Sequence, residues 1–243
     1  IITMALLGFG TSGSIVAMMR QKIETGFPRY LFAAAMLFSF FLGTGFIVSS
    51  KLDFNPYEIT LSIKQIFHFF LYFFFMGIAF FFGAVIICIS FLKQKISFIY
   101  FINLSGSAAG VVFVLLFSFF LHPYDITALI IIISLVPLCL LAGRGSIKAA
   151  AGCALFVFLT FTALFIFFSS PDAKQVSQYK PVSRALHLPG AKIVHEAYSP
   201  LAVVQVVEAE GLRSTAGLSL VSPFQVPVQK AIFFNGEGSS PIT

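Results

Sequence analysis

Gly8-Phe9-Gly10-Thr11-Ser12-Gly13 spells G-x-G-x-x-G, a pattern that cradles a dinucleotide pyrophosphate when it links a strand to a helix. That chemistry also needs an acidic residue about 20 positions on. Here the flanks form one continuous apolar run, and the nearest acid, Glu24, sits in a basic loop. The glycines therefore read as a helix face. Gly10 and Ser14 are four apart, as are Gly13 and Ala17. This spacing puts small residues on one side, where another helix can approach closely. The stretch "NLSGSAAGVV" repeats the device with Gly106 and Gly110. Close intramembrane contact between these two helices is the expectation.

Other polar residues offer less chemistry. Imidazoles ligate metals, but His68 and His122 sit on different segments without a ligand spacing. Interfacial hydrogen bonding is favoured for both. Asn103 lies inside an apolar run and needs a partner across a helix interface. Cys88, Cys139 and Cys153 lie in apolar runs with no C-x-x-C pair, so they read as packing residues. No Ser/His/Asp or Cys/His arrangement has a supporting local context. No metal or cofactor site is assigned in this chain.

The elements that carry these residues are apolar. The 243 residues are 58% hydrophobic and only 10% charged, and the net charge is +6. Soluble domains carry about 25% charged residues. So much apolar surface cannot be hidden in a water-exposed fold, and the bilayer is the natural solvent. Residues 1–170 hold nine Lys/Arg against four Asp/Glu, and residues 171–243 hold six against five. The basic excess thus belongs to the apolar part and reads as an orientation signal, not a nucleic-acid footprint.

Six runs approach the length of about 20 residues needed to cross the hydrocarbon core: 1–19, 30–49, 66–92, 96–121, 126–142 and 149–168. Pro137 should kink the fifth. The segment 61–65 is a candidate interfacial helix. The chain opens on Ile1 directly in an apolar run. It reads as part of a longer polypeptide, with no basic region that would mark a signal peptide.

Short Lys/Arg-rich loops stay cytoplasmic. "RQKIETGFPR", "KQK" and "GRGSIKA" hold seven basic residues, while the alternating loops hold two, Lys51 and Lys64. This places both ends of the bundle's chain outside the cytoplasm. After a polar linker at 170–189, residues 190–243 read as short strands: "KIVHE", "LAVVQVVEAE", "LSLV" and "QKAIFFN". Pro223, Pro227 and Pro241 fall at turns or edges. The fold class is a membrane all-α bundle of about six transmembrane helices (1–169) followed by a small β subdomain (190–243).

Two stretches carry a family resemblance. "FIYFINLSGSAAGVV" resembles the Y-x-x-N/D-L-x-G-x-A-x-G signature of multi-spanning membrane proteins fused to a spermidine synthase-like domain. The stretch beginning "VHEAYSPLAVVQVVEAEG" resembles the β lead-in that precedes the catalytic domain of those fusions. "LLGFGTSGSIVAM" is similar to their glycine-rich first helix. The resemblance implies an aminopropyltransferase fold, in which a Rossmann-like domain binds decarboxylated S-adenosylmethionine. That domain would lie beyond Thr243. The resemblance also implies two substrate-side positions, Tyr198 and Asn235. Their surroundings depart from the family's pattern. Ser199 stands where it has Gln, Asn235 where it has Asp, and Ser239 where it has a second Gln.

Three functions are weighed. The first is the membrane-anchoring part of a spermidine synthase-like protein of the cytoplasmic membrane. The second is a non-catalytic subunit that docks an extracytoplasmic partner. The third, a polyamine or small-cation transporter, lacks charged residues deep within the spans and a clear inverted repeat.

Overall fold

Long runs of Phe, Leu, Ile and Ala satisfy their backbone polar groups internally by forming helices, the arrangement an apolar solvent demands. The computed structural model describes residues 2–52, 54–55, 58–143, 147–170, 176–213 and 228–242. Its helices are α1 (Ile2–Met18), α2 (Arg20–Thr25), α3 (Phe27–Lys51), α4 (Ile63–Phe91), α5 (Ile96–Phe117), α6 (Pro123–Ala142), α7 (Ile147–Ser169) and α8 (Pro181–Leu186). Its strands are β1 (Lys192–Tyr198), β2 (Val203–Glu208), β3 (Lys230–Phe234) and β4 (Glu237–Ile242).

Helices α3 to α7 provide five stretches long and apolar enough to cross a membrane. The first expected span, 1–19, forms α1, a shorter apolar helix of 17 residues. Helix α6 runs on through Pro137. The expected interfacial segment at 61–65 is instead turn plus the first residues of α4. The basic loop after α1 holds the short helix α2, where the Arg20 guanidinium meets Glu24 at 2.7 Å.

The chain divides into two compact units. One comprises Ile1–Val111 with Thr127–Ala173, the other Val112–Ile126 with Lys174–Thr243. In the first, α4 packs against both α1 and α3. Val16, Ile23, Ala34, Val85 and Ile89 form one core cluster. Ala35, Leu135, Leu138, Ala142 and Cys153 form a second, joining α3, α6 and α7. Polar side chains in this interior are satisfied across helices. The Ser39 hydroxyl donates to the Ser134 carbonyl at 3.0 Å, and the Ser134 hydroxyl donates to Ser39 at 3.0 Å. Aromatic pairs add to the packing, with Phe41 stacked on Phe82 at 5.6 Å.

The second unit is a four-stranded antiparallel meander in the order β1-β2-β3-β4. A bulge between Ile193 and His195 shifts the β1–β2 register. Val182 and Ala185 of α8 bury against Val207, Ala231 and Phe233 of the sheet. The stretch read from sequence as linker therefore contains a helix that covers the β core. Pro241 sits on the edge strand β4, where a missing N–H costs no ladder bond. The expected strand at 218–221, Pro223 and Pro227 lie outside the described residues.

Candidate functional site

Residues 112–126, the end of α5, its turn and the start of α6, belong to the same compact unit as the sheet. The turn presents His122 edge-on to Tyr198, with ring centroids 5.8 Å apart. Tyr124 meets the same imidazole at 5.0 Å, and its backbone N–H donates to His122 Nδ1 at 3.2 Å. An Nδ1 that accepts leaves the neutral ring's proton on Nε2.

Beside these rings lies a cleft of about 230 Å³ lined by His122, Tyr124, Ser177, Lys180, Gln205 and Asn235, among others. The strands set its polar wall. Glu196 and Gln205 are direct cross-strand partners on β1 and β2, and such opposed side chains stand within reach of each other. The Gln205 amide donates to Glu196 Oε1 at 2.8 Å, and the Tyr198 hydroxyl donates to Glu196 Oε2 at 2.8 Å. Burial pushes the Tyr198 phenol up to about 12, helped by the bond to Glu196 and by the negative charges of Glu196 and Asp125.

The two positions drawn from the family resemblance thus lie in one unit with different jobs. Tyr198 joins the polar cluster. Asn235 lines the cleft but is chiefly a turn residue. It has φ +52° and is followed by Gly236 at φ +76°, closing the β3–β4 hairpin between the paired Phe234 and Glu237. Two consecutive positive φ angles are what a type I′ hairpin requires, and Asn-Gly is its favoured sequence. The Asn235 side-chain oxygen accepts the Val203 N–H at 2.9 Å, and its carbonyl accepts from the Lys180 ammonium.

The six helix-packing positions fall elsewhere. Cβ atoms built at Gly10, Gly13, Gly106 or Gly110 would meet nothing within 4 Å, and Ser14 and Ala17 are exposed. The expected pairing of the first span with the fourth is replaced by α1 on α4. Gly8 makes the close approach there, against the backbone of Gly77. Buried Ser12 adds a 3.9 Å contact to Cys88. Helix α5 buries no residue, and Asn103 is exposed on it.

Sequence reading missed Glu196, Gln205 and Lys180. Alternation in "VHEAY" puts Glu196 and Tyr198 on one strand face, which is a usable local signal. Gln205 needed the strand register. Among the described residues, no three His, Cys, Asp or Glu side chains group as metal ligands. His68 lies on α4 in the first unit and His122 in the second. The cluster offers hydrogen-bonding and aromatic surface for a small polar ligand.

The raised phenol has a spectroscopic consequence. Tyr198 stays protonated in the folded unit above its ordinary value of 10. The stabilisation this represents is whole below pH 10 and is lost as pH rises toward 12. Ultraviolet titration at 295 nm is expected to show a late phenolate phase near pH 12. Tyr198→Phe should remove it, and Glu196→Gln should move it down toward 10. An unchanged late phase in Tyr198→Phe would assign it to another tyrosine.

No family model, no curated protein and no solved structure matches this chain.

Proposed function

We propose that this chain is the membrane-anchoring part and β lead-in of a spermidine synthase-like membrane protein, holding a C-terminal domain at the bilayer without a complete catalytic site of its own. The carrying observation is that the turn between two apolar helices, α5 and α6, folds as one unit with the β meander. Such a shared unit is what an anchoring role expects of a β module that adjoins apolar helices. The charge balance of seven Lys/Arg against two in alternating loops supports a cytoplasmic-membrane protein with its C-terminal unit on the non-cytoplasmic side.

The second reading, a non-catalytic subunit docking an extracytoplasmic partner, is favoured by Ser199, Asn235 and Ser239. They replace polar groups at the family's substrate-side positions, and Asn235 serves a turn. In this reading α5, which buries no residue, is covered by a neighbouring membrane helix.

Protein from its native membrane, washed in alkaline carbonate and then analysed by intact mass and peptide mapping, tests both. The anchor reading expects retention in the membrane pellet and peptides running past Thr243 into a glycine-rich Rossmann sequence. Continuation into an unrelated sequence would overturn the family reading, and release by carbonate would overturn both readings. A mass near 26.6 kDa with a stoichiometric co-migrating protein would establish the subunit reading.

A further inference from the structure

Two clefts of the β unit differ in the charged groups beside them. Glu196 belongs to the polar cluster described above, whereas a second cleft of about 290 Å³ has three cations and no carboxylate among its described lining residues. Arg184 reaches it from α8, Arg213 from the segment after β2, and Lys230 from the start of β3. Leu188, Leu212 and Phe233 add apolar wall.

Lys230 is only partly compensated. Its ammonium lies 3.6 Å from Glu208, but that carboxylate is shared with Lys192 at 3.2 Å. The two ammoniums together hold the Glu208 carboxyl below its ordinary value. The Arg184 and Arg213 guanidiniums have no side-chain partner among the described residues. Protein surfaces ordinarily intersperse charges of both signs. Two unpaired guanidiniums and a half-compensated ammonium around one concavity concentrate positive potential there. Each guanidinium is a planar fork that matches a phosphate edge bidentately. A small concave site with apolar walls and a few convergent charges is the general form of a ligand pocket.

We infer that this cleft, lined by Arg184, Arg213 and Lys230, binds a phosphate monoester carrying a small apolar group. The phosphate bridges the guanidiniums, and the apolar group rests against Leu188, Leu212 and Phe233. Such a group is supplied either by a soluble monoester or by the headgroup of an anionic phospholipid. This inference is independent of the anchor reading.

The test uses the full chain in phosphatidylcholine nanodiscs, titrated with phenyl phosphate and followed by microscale thermophoresis. Saturable binding is expected, weakened about tenfold by Arg184→Gln or Arg213→Gln and lost in the double variant. Arg184→Lys keeps the charge but not the fork, and it should weaken binding by about threefold. Both arginines are exposed, so the substitutions leave the fold intact, which far-ultraviolet circular dichroism checks. Arg29→Gln makes the same charge change on α3 and should leave binding unaltered. Absence of saturable binding, equal binding by the double variant, or equal weakening by Arg29→Gln would overturn the assignment. A second arm adds phosphatidic acid to the nanodiscs. Competition with phenyl phosphate identifies the lipid headgroup as the natural source, and undiminished binding identifies a soluble monoester.

Discussion

Gly8→Val is expected to detach α1 from α4 and to destabilise that contact by about 1–3 kcal/mol. Gly10→Val and Gly106→Val are expected to leave it unchanged. A Cβ at Gly8 would lie 2.8 Å from the Gly77 carbonyl oxygen, 3.0 Å from the Phe81 nitrogen and 3.4 Å from the Phe80 Cβ. Two of these atoms are helix backbone and cannot rotate away. Their own carbonyl and amide are committed to the α4 ladder, so relief requires α1 to move outward as a body. Little resists that movement, because α1 is mostly exposed. Its buried residues are few, chiefly Ser12 and Val16 beside the close approach. Cys88 reports the event. Its sulfur touches the Ser12 hydroxyl at 3.9 Å, so lifting α1 uncovers it. Maleimide labelling of Cys88 should accelerate in Gly8→Val and stay at the wild-type rate in Gly10→Val, whose Cβ enters open space. Wild-type labelling in Gly8→Val would show that the glycine contact does not hold the pair.

The same region shows how far the sequence reaches. That α1 and α5 are helices with small-residue faces was legible, because apolar runs and i, i+4 glycines are local signals. Which glycine meets a neighbour was not. A helix that is apolar all round has no stripe to fix its rotation, so the partner alone decides between Gly8 and Gly10. Strands β1, β2 and β3 followed from alternation and β-branched residues. Strand β4, Glu237–Ile242, has the sequence EGSSPI and little β propensity. It exists because the Asn235-Gly236 turn folds it back on β3. Helix α8 was hidden in a polar stretch, since its six residues bury only against strands distant in sequence. The pairing of His122 with Tyr198 joins positions 76 residues apart, and no local pattern announces it. Tyr198 entered only through the family resemblance, and the site was illegible wherever register or long-range docking assembles it.

Gly236→Ala is expected to open the β unit, while Gly238→Ala costs much less. Both glycines have positive φ, +76° and +55°, where an alanine bears a conformational penalty of about 1–2 kcal/mol. They differ in what a methyl would meet. At Gly238 nothing lies within 4 Å, whereas at Gly236 the new carbon would sit 2.9 Å from Val176 Cγ1 and 3.0 Å from both Lys180 Cδ and Val182 Cγ1. Val182 cannot yield easily. It is fully buried in the β core, and its N–H donates to the Gly236 carbonyl at 3.2 Å. Overpacking there adds about 1–3 kcal/mol. A β core this small has little stability in reserve, so the sum is comparable with all it has. Trypsin reports the outcome. Lys192 and Lys230 lie in paired strands, so cleavage after them requires the sheet to open. Gly236→Ala should raise cleavage at both lysines by about tenfold or more relative to Gly238→Ala. Equal rates in the two variants would mean that only the positive φ matters and that the Val182 contact carries no weight in the hairpin.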